Sequence, residues 1–271
     1  MTAAQQAAGR GTTSSPGPWA GYWQLPEPLL AFDPADPRQL AVNPLAGLAS
    51  FGPYSYTSNS LHPNIRVALL APEGDLQELR GLLRELWLPQ EPREREEYLP
   101  PYPGWRKAFG CGIEPAAGRA QISLSPDLDT RARGAGSPAQ MLAAALSEGL
   151  RAFAQVRDSF DVIVFYLPPR FTPYFSAGLF NLHDAVKATA AELGLSTQII
   201  TSEALRYRCR ASVAWRLSTA LYAKAGWVPW KLHTQSGPLD PQAAYIGLPT
   251  PCAGSRRNCK LRDLLQPGLR C

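Results

Sequence analysis

Residues 161–169 restrict the fold of this chain more than any other stretch. They read DVIVFYLPP, and every residue between Asp161 and the two prolines is β-branched, aromatic or aliphatic. A strand with one face in water alternates apolar and polar residues, whereas a parallel strand covered by helices on both faces is apolar throughout. The stretch therefore predicts a central strand of a parallel sheet. The prolines after it mark the carboxyl edge of that sheet, where α/β proteins place their ligands.

Strand and helix patterns alternate on both sides of that stretch, as a parallel sheet requires. Residues 64–72 and 120–125 have the length and composition of strands. Residues 73–87 place leucines at helical spacing, and residues 137–157 form a second amphipathic helix that begins with a serine cap and a proline. The predicted fold class is α/β, a parallel sheet flanked by helices.

Three stretches predict irregular structure. Residues 89–110 combine a charge cluster with prolines and predict a long surface connection, and residues 131–138 predict a flexible break. Residues 19–63 alternate prolines with aromatic residues, which indicates an extended wrapping segment. We expect Trp19, Trp23 and Phe32 to anchor this segment by burial; stacking on nucleic-acid bases is the alternative role for these aromatics.

Composition places few limits on function. The chain has 271 residues and a formal net charge of +5, which is compatible with an anionic partner. Residues 1–18 have too few large apolar groups to order and predict a disordered tail. No apolar run reaches the ~18 residues of a membrane span, and no secretory signal is recognisable, so we expect a cytoplasmic protein.

The five cysteines predict neither disulfides nor a metal site. Cys111 and Cys209 are far apart in the sequence, and Cys252, Cys259 and Cys271 lack the spacing of zinc ligands.

Four polar residues follow the central strand at suggestive intervals: His183, Lys187, Gln198 and Lys224. His183 and Lys187 are four residues apart on a predicted helix that begins after Asn181 and ends at Gly194. Gln198 lies in a predicted strand at residues 196–200. Lys224 lies near the end of a predicted helix at residues 208–226. A helix amino end with added cations and an amide donor suits a terminal phosphate. Each residue also has an ordinary explanation without a ligand, as a helix-start residue, a solvated charge, a half-exposed strand residue or a cation at a helix carboxyl end.

A family resemblance favours the phosphate-binding explanation over the explanations without a ligand. Residues 183–200, HDAVKATAAELGLSTQII, and residues 213–232, VAWRLSTALYAKAGWVPWKL, resemble the MID domain of prokaryotic Argonaute proteins, especially the short ones. The resemblance extends over about residues 29–248. It implies a Rossmann-like MID domain at residues 64–237, in which His183, Lys187, Gln198 and Lys224 hold the 5′-phosphate and first nucleotide of a guide RNA or DNA.

The same resemblance implies a metal ion and partners for this chain, and it also bears on catalytic activity. It implies Mg²⁺ at the guide phosphate, a role in prokaryotic defence, and a partner that carries an APAZ region fused to a TIR, sirtuin-like or nuclease effector. Residues 238–249 resemble the first strand of a PIWI domain, which is RNase H-like. Pro249 follows Gly247 and Leu248 where slicing members carry an aspartate. We therefore expect no catalytic residue and no slicing activity.

Residues 250–271 differ in composition from the rest and form an atypical tail. They predict either a truncated or frame-shifted gene product or a basic tail that binds nucleic acid.

Two other functions of the chain stay open at this point. One is an α/β protein that binds a phosphorylated small molecule, although the chain has no GxGxxG, P-loop or GxSxG motif. The other is a remnant without a ligand.

Overall fold

A five-stranded parallel sheet lies at the centre of the structure, which is a computed structural model that describes residues 27–55, 64–177 and 180–233. The elements in chain order are β1 (Leu30–Ala31), β2 (Leu40–Ala41), α1 (Pro44–Phe51), β3 (Asn64–Pro72), α2 (Leu76–Glu85), α3 (Trp105–Phe109), β4 (Gly112–Pro115), β5 (Gln121–Leu124), α4 (Leu128–Gly134), α5 (Pro138–Ala154), β6 (Val162–Leu167), β7 (Ser176–Ala177), β8 (Phe180–Asn181), α6 (Leu182–Glu192), β9 (Thr197–Thr201), α7 (Ser202–Arg206), α8 (Arg210–Lys224) and β10 (Lys231–Leu232). Short 3₁₀ turns lie at Gly118–Ala120, Arg157–Ser159 and Pro169–Tyr174.

The strand order of the sheet is β4, β3, β6, β9, and β5 also pairs with β3 beyond the end of β4. All of these pairs are parallel. In the register, Val67 lies opposite Val162, and Val164 lies opposite Gln198. Within the described residues β9 pairs on one side with β6, so its other side is an edge of the sheet.

Two hydrophobic layers cover the two faces of the sheet. Every residue of β6 is buried, which confirms the prediction of a strand covered on both faces. One layer contains buried residues of α4, α5 and α6, and the other contains those of α2, α3 and α8. The predicted helices at α2 and α5 are confirmed, and so is the predicted fold class, a parallel sheet flanked by helices. Ser137 makes no capping hydrogen bond through its side chain at the start of α5.

The segment before the sheet contains two-residue strands and one short helix. Strand β1 pairs with both β2 and β10 in a small antiparallel sheet. Phe32 is 1% exposed, as expected for an anchor, and its ring lies directly against Gly47 of α1. A Cβ at Gly47 would lie 2.0 Å from that ring. Trp19 and Trp23 lie outside the described residues, as do the predicted tail at 1–18 and the segments predicted at 238–249 and 250–271.

Two predicted connections are wrong in part. Residues 89–110 include α3, and Tyr102, Trp105 and Phe109 are fully buried there. The Tyr102 ring packs edge-on against Trp215 of α8, with ring centroids 5.0 Å apart. The prolines do exclude a long helix, but the aromatic residues that follow them gain more from burial than from solvation.

The predicted break at residues 131–138 is also wrong in part, because α4 extends to Gly134. Leu128 and Ala132 are four residues apart and both are buried, so one face of this short helix packs into the core. No helix in the described residues is long and apolar enough to span a membrane.

Candidate anion-binding site

Helix α6 places the first lysine of the predicted set. Asn181 caps the helix, because its side chain accepts a hydrogen bond from the backbone N–H of Asp184 at 3.3 Å. Gly194, with a φ of 63°, ends the helical segment before the chain turns into β9. These boundaries confirm the predicted helix and put Lys187 in its second turn.

Lys187 reaches the first residue of the edge strand. Its Nζ donates to the carbonyl oxygen of Thr197 at 2.5 Å and to the Thr197 hydroxyl at 2.8 Å. Thr197 is 4% exposed, so both acceptors are held in the packed interior of the edge.

Lys224 reaches the same carbonyl from the end of α8. Its Nζ donates to the carbonyl oxygen of Thr197 at 2.9 Å and to Oε1 of Gln198 at 2.5 Å. Helices α6 and α8 belong to the two opposite hydrophobic layers of the sheet. Two ammonium groups therefore approach one backbone carbonyl around the free side of β9.

The direction of the Thr197 carbonyl follows from the pairing of β9. The N–H of Ile163 in β6 donates to the carbonyl of Ser196 at 2.9 Å. Backbone groups alternate in direction along a strand, so the next carbonyl, that of Thr197, points away from β6. An edge carbonyl needs a partner other than a strand, and here the two lysines supply it.

Gln198 joins the cluster through both ends of its amide. While Oε1 accepts from Lys224, Nε2 donates to the carbonyl of Ile199 at 2.9 Å. The reversed amide would place an NH₂ group against an ammonium and an oxygen against a carbonyl, so the hydrogen-bond network requires this orientation.

The cluster carries uncompensated positive charge. Burial lowers the pKa of Lys187, and burial together with the charge of Lys187 lowers the pKa of Lys224 to about 8. Within residues 27–55, 64–177 and 180–233, no carboxylate forms an ion pair with either lysine. Two half-buried cations without a carboxylate form a site to which an anion is strongly attracted.

In the part of the chain that the structure describes, His183 makes no hydrogen bond to this cluster. Its side chain is 59% exposed, and Nδ1 lies 3.1 Å from a carboxylate oxygen of Asp184. The structure thus brings together Lys187, Gln198 and Lys224 and leaves His183 on the exposed first turn of α6. The assignment of all four residues to a guide phosphate stays a prediction.

The clustered groups do not fit a magnesium ion by themselves. Mg²⁺ takes oxygen ligands, usually with at least one carboxylate. The side chains that converge on Thr197 end in two ammonium groups and one amide, and two cations repel a third. This donor set suits an anion.

A cavity of about 290 Å³ adjoins the cluster along β9, α7 and α8. Gln198 lines it, together with apolar residues such as Ile199 and Val213 and the oppositely charged side chains of Glu203 and Arg216. Sequence reasoning missed both Arg216 and Thr197. The position of Thr197 next to the predicted Gln198 was a possible signal for it. However, the Thr197 carbonyl accepts from both lysines because β9 is an edge strand, and no local sequence pattern reveals that position.

The structure is an α/β protein with two lysines and a glutamine clustered at the edge of a parallel sheet. Structure comparison finds the predicted similarity to Argonaute proteins. The crystal structure of Aa-Ago with externally bound siRNA matches 79% of this chain and 25% of that chain, with 14% identity and a TM-score of 0.48. The structure of the Aquifex aeolicus Argonaute matches 65% of this chain and 21% of that chain, with 18% identity and a TM-score of 0.34.

The chain therefore spans a quarter or less of the Argonaute chains that it matches. No family model and no curated protein matches the sequence. Similarity at this level does not transfer a ligand or an activity to this chain.

Proposed function

We propose that this chain binds the 5′-phosphorylated end of a guide oligonucleotide through Lys187 and Lys224. The observation that carries the proposal is the convergence of two ammonium groups on the carbonyl oxygen of Thr197. One carbonyl dipole does not neutralise two charges. Burial and the charge of Lys187 lower the pKa of Lys224, and burial lowers the pKa of Lys187. A bound anion would supply the missing negative charge.

The charge of the site favours a terminal phosphate over a phosphate within a strand. A terminal phosphate monoester carries about −1.5 to −2 charges near pH 7, whereas a phosphodiester carries one. Two ammonium groups match the former, and charge-assisted hydrogen bonds from both lysines would hold its oxygens.

The sequence favours an oligonucleotide as the carrier of that phosphate. Residues 183–200 and 213–232 resemble an Argonaute MID domain, and the lysines that this resemblance selects are those that meet at Thr197. His183 and Gln198 would contact the first nucleotide and the phosphate. The guide is RNA or DNA, and the role is guide sensing in prokaryotic defence beside an APAZ-containing partner. Binding, without cleavage by this chain, is the proposed activity.

The test compares two oligonucleotides that differ at one group. Fluorescence anisotropy of the full-length chain with a labelled 20-mer would give the Kd for a 5′-phosphate end and for a 5′-hydroxyl end. We expect tighter binding of the phosphorylated end by at least about tenfold, or about 1.4 kcal/mol. Equal Kd values would contradict the proposal.

The second candidate function is the binding of a phosphorylated small molecule, and a mononucleotide competitor distinguishes it from guide binding. The cavity of about 290 Å³ beside Gln198 is large enough for a small phosphorylated molecule. A nucleoside 5′-monophosphate that binds as tightly as the phosphorylated 20-mer would favour a small-molecule site. An oligonucleotide that binds much more tightly than the mononucleotide would favour guide binding.

A further inference from the structure

Thr197 holds both lysines of the cluster, and neither the sequence patterns nor the family resemblance assigned it a role. We propose that Thr197 is a positioning residue, which fixes the two ammonium groups at one point on the sheet edge so that they receive a phosphate together. This inference rests on the proposed function and adds a residue to it.

The contacts of Thr197 divide between its backbone and its side chain. The carbonyl accepts from Lys187 and Lys224, and the hydroxyl accepts from Lys187 alone. Any residue at this position would keep the carbonyl, but the second contact to Lys187 requires a hydroxyl. The side chain therefore acts on one lysine of the pair.

The hydroxyl has little freedom to move away. Thr197 is β-branched and lies in a strand at 4% exposure, so packing limits its χ1 angle. A lysine side chain, in contrast, has four rotatable bonds and loses much of its freedom when its end is held. A fixed hydroxyl and a fixed carbonyl together hold the Lys187 ammonium in advance, so a phosphate that binds later does not have to order it.

Burial alone does not explain the choice of residue. A valine at position 197 would fill nearly the same volume and would remove a buried hydroxyl from a strand edge. The hydroxyl of Thr197 accepts a hydrogen bond from the Lys187 ammonium, a contact that a valine could not make.

The hydroxyl is tested by Thr197→Val, with Thr197→Ser as the variant that keeps it. The quantity measured is the ratio of Kd for a 5′-hydroxyl 20-mer to Kd for the same 5′-phosphorylated 20-mer, with the full-length chain. We expect this ratio to fall about three- to tenfold in Thr197→Val and to stay within about twofold of wild type in Thr197→Ser. Binding of the 5′-hydroxyl oligonucleotide itself should not change.

The matched control is Thr189→Val. Thr189 lies on α6 like Lys187, but its hydroxyl donates to the carbonyl of Ala185 and contacts Ser147. This control should keep the wild-type ratio. If Thr197→Val does not fold, as judged by its melting curve, Thr197→Ala is measured in its place.

A double-mutant cycle shows whether the hydroxyl acts through Lys187. Because Lys187→Ala by itself should bring the Kd ratio near one, the cycle is measured by thermal unfolding, and the Tm change caused by Thr197→Val should differ between the wild-type and Lys187→Ala backgrounds. An unchanged Kd ratio in folded Thr197→Val, or an equal Tm change from Thr197→Val with and without Lys187, would overturn the positioning role while leaving the proposed function intact. A wild-type ratio of one would instead overturn the proposed function and this inference together.

Discussion

Lys187 and Lys224 share one acceptor, the carbonyl oxygen of Thr197, which lies 2.5 Å from one Nζ and 2.9 Å from the other. The lysines come from helices in opposite layers of the sheet and meet at its edge. Such an arrangement is costly in a protein without a ligand, because like charges repel and burial penalises both. Binding sites often lower the stability of the ligand-free protein in this way, because their groups are arranged for the ligand.

Removal of one charge should therefore stabilise the free protein. We expect Lys224→Met to raise Tm at pH 7 by about 2–4 °C, the shift that corresponds to ~1 kcal/mol in a domain of this size. Thermal unfolding would measure it, with Lys107→Met, at an exposed position on α3, as the control that should leave Tm unchanged. A lower Tm for Lys224→Met than for the control would mean that the hydrogen bonds of Lys224 outweigh its repulsion.

The stability difference between wild type and Lys224→Met should depend on pH. The folded protein releases the Lys224 proton near pH 8, whereas the unfolded chain keeps it until about 10.5. Between these values the unfolded state binds more protons, so the stability of wild type rises with pH in this window. The Tm advantage of Lys224→Met should shrink from pH 7 to pH 10. An advantage that stays constant over this range would contradict the lowered pKa.

The preference for a 5′-phosphate should also fall with increasing pH. Lys224 is a full cation below its pKa of about 8 and loses its charge above it. A terminal phosphate gains its second charge near pH 6, so the preference should be greatest between about pH 6 and 8. The Kd ratio of 5′-hydroxyl to 5′-phosphorylated oligonucleotide, measured from pH 5.5 to 9.5, would test this. A ratio that is as high at pH 9.5 as at pH 7 would exclude charged Lys224 as a main contributor.

His183 should matter less than either lysine. Its side chain is mostly exposed and contacts Asp184, and it makes no described hydrogen bond to the Thr197 cluster. We expect His183→Ala to reduce the 5′-phosphate preference less than about threefold, the size of a weak exposed contact. A loss as large as that of Lys187→Ala would show that His183 moves into the site when the phosphate binds.

Two glycines in helices should respond in opposite directions to alanine. A Cβ at Gly81 of α2 would meet no atom within 4 Å, so Gly81→Ala should stabilise the protein by up to about 1 kcal/mol through helix propensity. A Cβ at Gly47 would lie 2.0 Å from the Phe32 ring, so Gly47→Ala should destabilise it by about 1–3 kcal/mol. Denaturant unfolding of both variants would measure the two shifts. Equal shifts would contradict the close packing of Phe32 on α1.

The sequence predicted the elements whose patterns are local. The apolar run of β6, the leucine spacing of α2 and the order of elements from Asn181 to Lys224 all indicate their structure without knowledge of the fold. The α3 helix and the burial of Tyr102 could not be predicted from local sequence patterns. Their stability comes from contacts with α8, more than a hundred residues later, among them the hydrogen bond of the Tyr102 hydroxyl with Ser218.

The candidate site could be predicted in part for a similar reason. Lys187 and Lys224 were selected by helical position and resemblance, and the structure brings them together. Thr197 was missed because its importance comes from a backbone carbonyl at a sheet edge, and strand order determines which carbonyls are unpaired.

The central claim is that the two lysines recognise a terminal phosphate, and one set of binding measurements tests it most directly. The full-length wild type, Lys187→Ala, Lys224→Ala and the control Lys107→Ala would each be titrated with 5′-phosphorylated and 5′-hydroxyl forms of one oligonucleotide. We expect a ratio of Kd values of at least about 10 in wild type and in the control, and a ratio near one in each lysine variant at the site. A ratio that survives in both Lys187→Ala and Lys224→Ala would contradict the account.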